Sequence, residues 1–176
     1  MTERVERPVV WIAFAVVSAA CLVALVWWVR GWVVRARERR LVARTDLSHV
    51  DQMSGPRFEE HVAGLMRTHG YTKVTVVGGA EDGGVDVRAQ APDGRPVVVQ
   101  CKRWRRPVPP NEVRAFLGAL ARSYRGCTGM LVASNGFTEA AAREADGAMV
   151  LVDRHGLALW MRGEQVPALP KASPER

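Results

Sequence analysis

The sequence predicts an α/β fold, a mixed sheet flanked by helices, behind an N-terminal hydrophobic segment. Three observations support this prediction. Residues 9–29 carry no charged side chain, amphipathic stretches with helical spacing follow, and short Val-rich runs lie between those stretches. The order of the elements, α-β-β-β-α-β-α-β, implies a mixed sheet with helices on both faces. The 176 residues suffice for one domain of ordinary size plus appendages.

The hydrophobic segment, residues 9–29, is long enough to span a bilayer core of roughly 30 Å as a helix. Trp11 lies near one end, and Trp27 and Trp28 lie at the other, where interfacial aromatic residues are expected. Six arginines follow between residues 30 and 44. This asymmetry predicts a single-pass anchor in a prokaryotic cell membrane, with the C-terminal part in the cytoplasm.

A cleaved signal peptide ending at Ser18-Ala19-Ala20 is the alternative interpretation of this segment. It is disfavoured, because the apolar run continues past Ala20 into a basic flank, which signal peptides lack. The arginines after the segment are interpreted as a topology signal and a contact for anionic lipid rather than as a specific nucleic-acid contact.

The first half of the remaining chain is predicted to form a helix and three strands. Residues 45–56 are interpreted as a linker that ends in a helix start at Ser54-Gly55-Pro56, and Gly70 ends that helix. Strands are predicted over residues 73–77, 85–90 and 96–101. Because Pro92-Asp93-Gly94 forms a turn between the last two, they should pair as an antiparallel hairpin.

The second half is predicted to alternate helices and buried strands. Asn111 is expected to cap a helix running to Tyr124, and Thr138 to open an Ala-rich helix that ends near Gly147. Buried strands are predicted over residues 129–133 and 149–152. His155-Gly156 is interpreted as a turn before residues 157–161, and a Pro-containing tail follows.

Charge and cysteine content limit the function classes. The net charge of +7 and a pI of about 10.1 favour anionic partners, either nucleic acid or an anionic membrane surface. Cys21, Cys101 and Cys127 are far apart and support neither a disulfide framework nor a zinc site. The Gly-rich run 78–84 matches no nucleotide-binding pattern, so no small-molecule cofactor is predicted.

The strongest candidate site follows the apolar run 97–99. Side chains alternate along a strand, so Gln100 and Lys102 point to one face, and Asp86 from the neighbouring strand lies beside them. A carboxylate, an amide oxygen and an ammonium can hold a hard divalent cation and activate a water next to it. Lys102 is one of only three lysines among 25 basic residues, which indicates that an ammonium is required there.

Several motifs occur in order along the chain: Phe58-Glu59, His69-Gly70-Tyr71, Asp82-Gly83-Gly84-Val85-Asp86, Val99-Gln100-Cys101-Lys102, Phe137-Thr138 and Leu151-Val152-Asp153. Together they resemble the Mrr-type branch of the PD-(D/E)XK nuclease superfamily from about residue 58 to 159. That branch carries Gln where the superfamily usually has a carboxylate, as this chain does at Gln100. The resemblance implies a restriction-endonuclease-like mixed central sheet with an α-β-β-β-α-β core.

On this resemblance, the predicted domains are residues 1–30 with the transmembrane helix, 31–54 as a basic linker, 55–163 as the nuclease domain and 164–176 as a tail. Asp86, Gln100 and Glu59 are the implied ligands of Mg²⁺, for which Mn²⁺ is an expected substitute. Lys102 would orient or deprotonate the attacking water, or neutralise the phosphate as charge builds.

Each candidate also has a structural interpretation. Asp86 would cap a turn, Lys102 would be a solvated strand-end cation, and Glu59 would be a first-turn acid favoured by the helix dipole. For Glu59 the two interpretations are weighted equally. Asp82 is expected to shape the Gly-rich loop rather than to bind metal.

A basic stretch after Lys102 is the candidate DNA contact. Guanidinium groups match phosphates, and an aromatic ring can stack on a base. The predicted DNA-binding residues are Arg103, Trp104, Arg105, Arg106 and Arg114. The alternative is a solvated basic face with Trp104 beneath it.

The resulting hypothesis is a membrane-anchored, metal-dependent endonuclease that hydrolyses DNA phosphodiester bonds in restriction or defence. A non-cleaving DNA-binding module and a lipid-interacting structural protein remain as alternatives. Since one metal site cuts one strand, a homodimer is left open.

Overall fold

The computed structural model describes residue 11, residue 17, residues 19–30, 47–78 and 83–170. Residues 47–78 and 83–170 contain five helices and five strands. The helices are α1 (Leu47–Gln52), α2 (Gly55–Thr68), α3 (Pro110–Ser123), α4 (Glu139–Ala145) and α5 (Arg154–Met161). The strands are β1 (Thr72–Val76), β2 (Val87–Gln90), β3 (Pro96–Lys102), β4 (Thr128–Ala133) and β5 (Val150–Val152).

The strands form one sheet in the order β1-β2-β3-β4-β5. The first three strands are antiparallel, and β4 and β5 add in parallel to β3. The expected β2–β3 hairpin is confirmed, with Val87 opposite Val99 and Gln90 opposite Pro96. The sheet is mixed, as the sequence predicts, because α3 and α4 are the crossovers that parallel neighbours require.

Helices cover both faces of the sheet, and each face has its own core. On one face Phe58 of α2 and Trp160 of α5 pack with Val97 and Val99 of β3. On the other face Phe116 of α3 packs with Val98 and with residues of α4. The alternation along β3 is therefore the predicted one. It places Cys101 with the first core and leaves Gln100 and Lys102 on the opposite side.

Three local predictions of secondary structure are wrong. Residues 45–56 are not a plain linker, since α1 lies within them and its Val50 is fully buried in the first core. Asn111 does not cap α3. Pro109 is the N-cap, and the Asn111 side chain instead donates to Glu112 Oε1 over 3.2 Å.

His155-Gly156 is not a turn, because both residues lie inside α5. Asp153 caps that helix, and its Oδ1 accepts from the Gly156 amide at 2.7 Å. By contrast, Thr138 caps α4 as predicted, with its hydroxyl accepting from the Ala141 amide at 3.1 Å.

The chain divides into two compact units, residues 1–38 and 39–176. In the first unit residues 19–30 are helical. Within the described part of the chain, no helix is both long and apolar enough to cross a membrane. Residues 9, 10, 12–16 and 18 of the predicted span 9–29 lie outside the described residues, and the anchor stays a prediction.

Candidate active site

Asp86 is fixed at the point where β2 begins. Its amide donates to Val99 O at 2.8 Å, and its Oδ2 accepts from the Cys101 amide at 2.7 Å. The Asp86 carboxylate therefore accepts from a β3 amide in the place that a main-chain carbonyl would normally take. Burial raises the pKa of this carboxyl, although the Cys101 hydrogen bond and the Lys102 charge act in the opposite direction.

Gln100 is buried beside this carboxylate on β3, with 9% of its surface exposed. Its side-chain nitrogen is packed against Gly84, so closely that a Cβ at residue 84 would overlap Gln100 Nε2. Among the described residues, the buried Gln100 Oε1 has no hydrogen-bond partner. A buried oxygen without a donor is costly, and it is the group that a cation would satisfy.

Glu59 lies in the second turn of α2, the helix that packs against the first core. Burial raises the pKa of its carboxyl, and the negative charges of Asp86 and then Glu60 raise it further. The charge of Asp86 thus acts on the Glu59 carboxyl. Because Glu59 is partly buried and lies beyond the first turn of α2, it is not the exposed first-turn acid of the alternative interpretation.

Lys102, the last residue of β3, is held by a partner that the sequence did not suggest. Its Nζ lies 2.8 Å from Glu112 Oε2, and only 17% of the Lys102 side chain and 25% of the Glu112 side chain are exposed. Glu112 lies in the first turn of α3. An acidic residue just after a Pro-rich loop is the only sequence signal for it, and helix starts commonly carry such residues.

The donor set fits a hard divalent cation. Among the described residues there is no group of three or more His, Cys, Asp or Glu side chains that could hold a metal. The oxygens beside the strand end are those of the Asp86 carboxylate and the orphan Gln100 amide, while the Glu59 carboxylate lies on α2, which packs against the first core. Mg²⁺ is usually bound by one or two carboxylates together with waters and substrate phosphate oxygens.

The predicted DNA-binding residues separate into two places, since residues 103–106 lie together just after β3 and Arg114 lies apart on α3. Trp104 is half-buried against the second core, with Lys102 Nζ at 5.3 Å and Arg106 Cζ at 5.8 Å from its ring centroid. Arg103 and Arg105 line a cavity of about 460 Å³ beyond the strand end. Arg114 is paired with Glu144 of α4 at 3.1 Å and does not line this cavity. Asp82 lies outside the described residues.

A model of the Mrr_cat family, described as restriction endonuclease, matches residues 50–161, from the buried Val50 of α1 to the end of α5. The chain belongs to the Mrr_cat restriction endonuclease family. The resemblance of the sequence motifs is thereby confirmed.

A curated Mrr relative is the type IV methyl-directed restriction enzyme EcoKMrr of Escherichia coli (strain K12). The two sequences are 35% identical over an alignment of 137 positions, and the match covers 73% of this chain and 44% of that enzyme. The chain thus spans less than half the length of this relative. Among solved structures, a repair endonuclease from Pyrococcus abyssi matches 51% of this chain and 43% of its own, with 22% identity and a TM-score of 0.38.

Proposed function

We propose that this Mrr-family chain is a metal-dependent endonuclease that hydrolyses phosphodiester bonds of DNA. The observation that carries the proposal is the orphan Gln100 Oε1, buried beside Asp86 at the end of the β2–β3 hairpin. A structural amide would have its oxygen satisfied within the fold. Here the oxygen lies unused beside a carboxylate whose pKa is raised by burial.

Asp86, Gln100 and Glu59 would hold Mg²⁺, or Mn²⁺ in its place. When bound, the cation would supply charge stabilisation at the phosphate and acidify a water. Asp86 is suited to this task because the Cys101 amide fixes its Oδ2. Gln100 contributes a neutral ligand, which leaves the site less negative than one with three carboxylates and eases the approach of an anionic substrate.

Lys102 would act on the substrate side of the site. Its ammonium is oriented by Glu112 and lies next to the Trp104 ring. In this position it would donate hydrogen bonds to the attacking water or to a non-bridging oxygen of the phosphate. Charge builds on that oxygen in the transition state, so a preorganised cation there accelerates cleavage.

The test is cleavage of supercoiled plasmid by the full chain with Mg²⁺, with Mn²⁺ and with EDTA. Because the relative's name describes a methyl-directed enzyme, methylated and unmethylated plasmids are both needed. Nicking or linearisation in metal, its absence in EDTA and its loss in Asp86→Asn are the expected results. Asp93→Asn, at the turn on the far end of the same hairpin, is the matched control.

Two outcomes would redirect the assignment. Salt-dependent DNA binding without cleavage of either plasmid would indicate a binding module that keeps this fold. Indifference to DNA together with binding to anionic lipid would indicate a membrane-interaction protein. Cleavage that survives Asp86→Asn would disprove the site.

The cellular context belongs to the same proposal. Membrane anchoring and a cytoplasmic active domain rest on the sequence of residues 9–44 alone. An anchored nuclease would meet DNA near the envelope, which suits a role in restriction of incoming DNA. One site cuts one strand, so cleavage of a duplex would take two chains or two successive events.

A further inference from the structure

A second polar site lies just beyond the strand end that carries Lys102. The cavity of about 460 Å³ is lined by Asp51, residues 103–105, residues 134–135 and Arg154. Arg103 follows β3, Ser134 follows β4, and Arg154 begins α5 after β5. The cavity therefore lies at the carboxyl ends of three parallel strands, where α/β sheets commonly bind ligands. Its volume is within the range of small-ligand sites, roughly 300–1,000 Å³.

The lining of the cavity is cationic. It contains three guanidinium groups, those of Arg103, Arg105 and Arg154, against the single carboxylate of Asp51. The Arg103 Nε is buried and has no hydrogen-bond partner among the described residues. A buried N–H without an acceptor is costly, so a shift of the Arg103 side chain that brings this N–H to an outside acceptor would remove that cost.

Arg154 already holds an anion in a two-point geometry. Its Nη1 donates to Asp51 Oδ1 and its Nη2 donates to Asp51 Oδ2, both at 2.7 Å. The same guanidinium edge fits two oxygens of a phosphate equally well. The Asp51 carboxylate thus occupies the position in which Arg154 would bind a phosphate.

Hydrogen bonds from residues 134 and 135 hold the main chain of the cavity wall close to the candidate active site. Ser134 Oγ donates to Trp104 O at 3.2 Å, and Asn135 Nδ2 donates to Arg105 O. The Ser134 amide donates to Lys102 O at 3.0 Å. Arg103 and Arg105 are therefore held one and three residues from the lysine proposed to act on the scissile phosphate.

We propose that this cavity binds a backbone phosphate of DNA beside the scissile one, with Arg103, Arg105 and Arg154 as its ligands. Asp51 occupies Arg154 in the free protein and is displaced when the phosphate binds. This inference rests on the proposed function in one respect, that DNA is the ligand. It adds Arg154 to the DNA-contacting surface and makes Asp51, 103 positions away in the sequence, the group that DNA displaces.

The experiment is the affinity of the full chain for a fluorescent DNA duplex in EDTA, measured over a series of NaCl concentrations. The slope of log K against log salt is negative, and loss of one phosphate contact reduces its magnitude by about 0.9 for duplex DNA. A lower slope here means a smaller magnitude. Arg154→Gln should lower the slope by about this amount. Arg105→Gln should reduce the slope by the same amount. The Arg105 side chain is exposed, and its replacement leaves the Asp51–Arg154 pair intact, so this variant tests the proposal even where Arg154→Gln fails to fold.

Asp51→Asn should change the DNA affinity in the opposite direction. It frees Arg154 from a competing anion and should tighten binding at every salt concentration. The matched controls are Arg162→Gln and Glu164→Gln, an ion pair of 2.6 Å just past the other end of α5. They change the net charge by the same amount as Arg154→Gln and Asp51→Asn do, but away from the cavity.

A slope for Arg154→Gln and Arg105→Gln equal to that of Arg162→Gln, or Asp51→Asn no tighter than Glu164→Gln, would overturn the proposal. Binding of glycerophosphoserine, a soluble lipid head group, is measured beside DNA binding. If Arg154→Gln loses glycerophosphoserine binding while its DNA slope is unchanged, the cavity is assigned to lipid head groups and the proposal is overturned. The two proposals fail separately. If Arg154→Gln and Arg105→Gln show lower slopes but the wild type shows no metal-dependent cleavage, only the endonuclease proposal is excluded. If the wild type cleaves DNA but the slopes of both variants are unchanged, only the phosphate site is excluded.

Discussion

Lys102 Nζ lies 2.8 Å from Glu112 Oε2, a contact that joins the end of β3 to the first turn of α3. Both side chains are mostly buried, so the pair is less screened by water than a surface ion pair. Without Glu112, the ammonium would be free to rotate on its four-carbon stem. The carboxylate therefore sets the direction in which Lys102 can donate to a substrate.

Glu112→Gln should lower the cleavage rate while the fold is kept. The amide retains the shape and one acceptor but loses the charge that fixes Lys102. A hydrogen bond to a charged group contributes about 1.5–3 kcal/mol, so the rate should fall roughly tenfold or more at saturating DNA. Single-turnover cleavage and DNA affinity are the measurements. Glu144→Gln removes an exposed partner of Arg114 and should leave the rate unchanged. Equal rates for both variants would exclude a positioning role for Glu112.

Gly84→Ala should displace Gln100 and abolish cleavage. Gly84 has a φ of +81°, and a Cβ there would overlap the Gln100 side-chain nitrogen. Gly94→Ala is the matched control, because Gly94 has a φ of +87° with open space around it. Both variants carry the backbone strain of an L-residue at positive φ, about 1–2 kcal/mol. In urea unfolding, Gly84→Ala should lose more free energy of unfolding than Gly94→Ala, and only Gly84→Ala should lose activity. Similar losses in both variants would refute the contact between residue 84 and Gln100 Nε2.

Asp86→Asn should stabilise the metal-free protein at neutral pH. Burial raises the pKa of Asp86, so the folded state binds its proton more tightly than the unfolded state does. Stability from this group is therefore present at low pH and is lost as pH rises through the raised pKa. Urea unfolding in EDTA should show a higher free energy of unfolding for Asp86→Asn at pH 7 and a shrinking difference toward pH 4. Added Mg²⁺ should stabilise the wild type more than the variant. A less stable Asp86→Asn in EDTA would contradict this account.

His61 should make the domain sensitive to mild acid. Burial lowers the pKa of His61 to about 4, with a smaller contribution from His49. The folded state therefore disfavours the charged ring, and stability present above the unfolded pKa of about 6.5 is lost as pH falls. Between these two values the loss at pH 5 is roughly 2 kcal/mol. Urea unfolding at pH 7 and pH 5 should show this loss in the wild type and in His155→Leu, an exposed control, but not in His61→Leu. The same pH dependence in all three proteins would contradict it.

The sequence was sufficient to predict the strands that carry the site. The alternation of Val97 and Val99 with Gln100 and Lys102, and the turn at Pro92-Asp93-Gly94, determine the hairpin and its faces. These are local signals, since period-two patterning and turn chemistry act over a few residues. The side of the sheet on which Gln100 lies follows from them directly.

Features that depend on distant contacts were not predictable. Helix α1 has six residues and a single buried one, Val50, so it shows no helical periodicity. The pairing of Lys102 with Glu112 depends on how the loop between β3 and α3 folds back. The Asp51–Arg154 contact joins residues 103 positions apart, and no local pattern marks either partner.

The single-turnover rate of plasmid nicking in Mg²⁺, compared between the wild type and Lys102→Ala, decides whether Lys102 belongs to an active site. Lys73→Ala, at an exposed lysine on β1, is the control for loss of one positive charge. The account predicts nicking by the wild type and by Lys73→Ala, and none by Lys102→Ala with DNA binding retained. Nicking by Lys102→Ala at the wild-type rate would contradict the assignment of the active site.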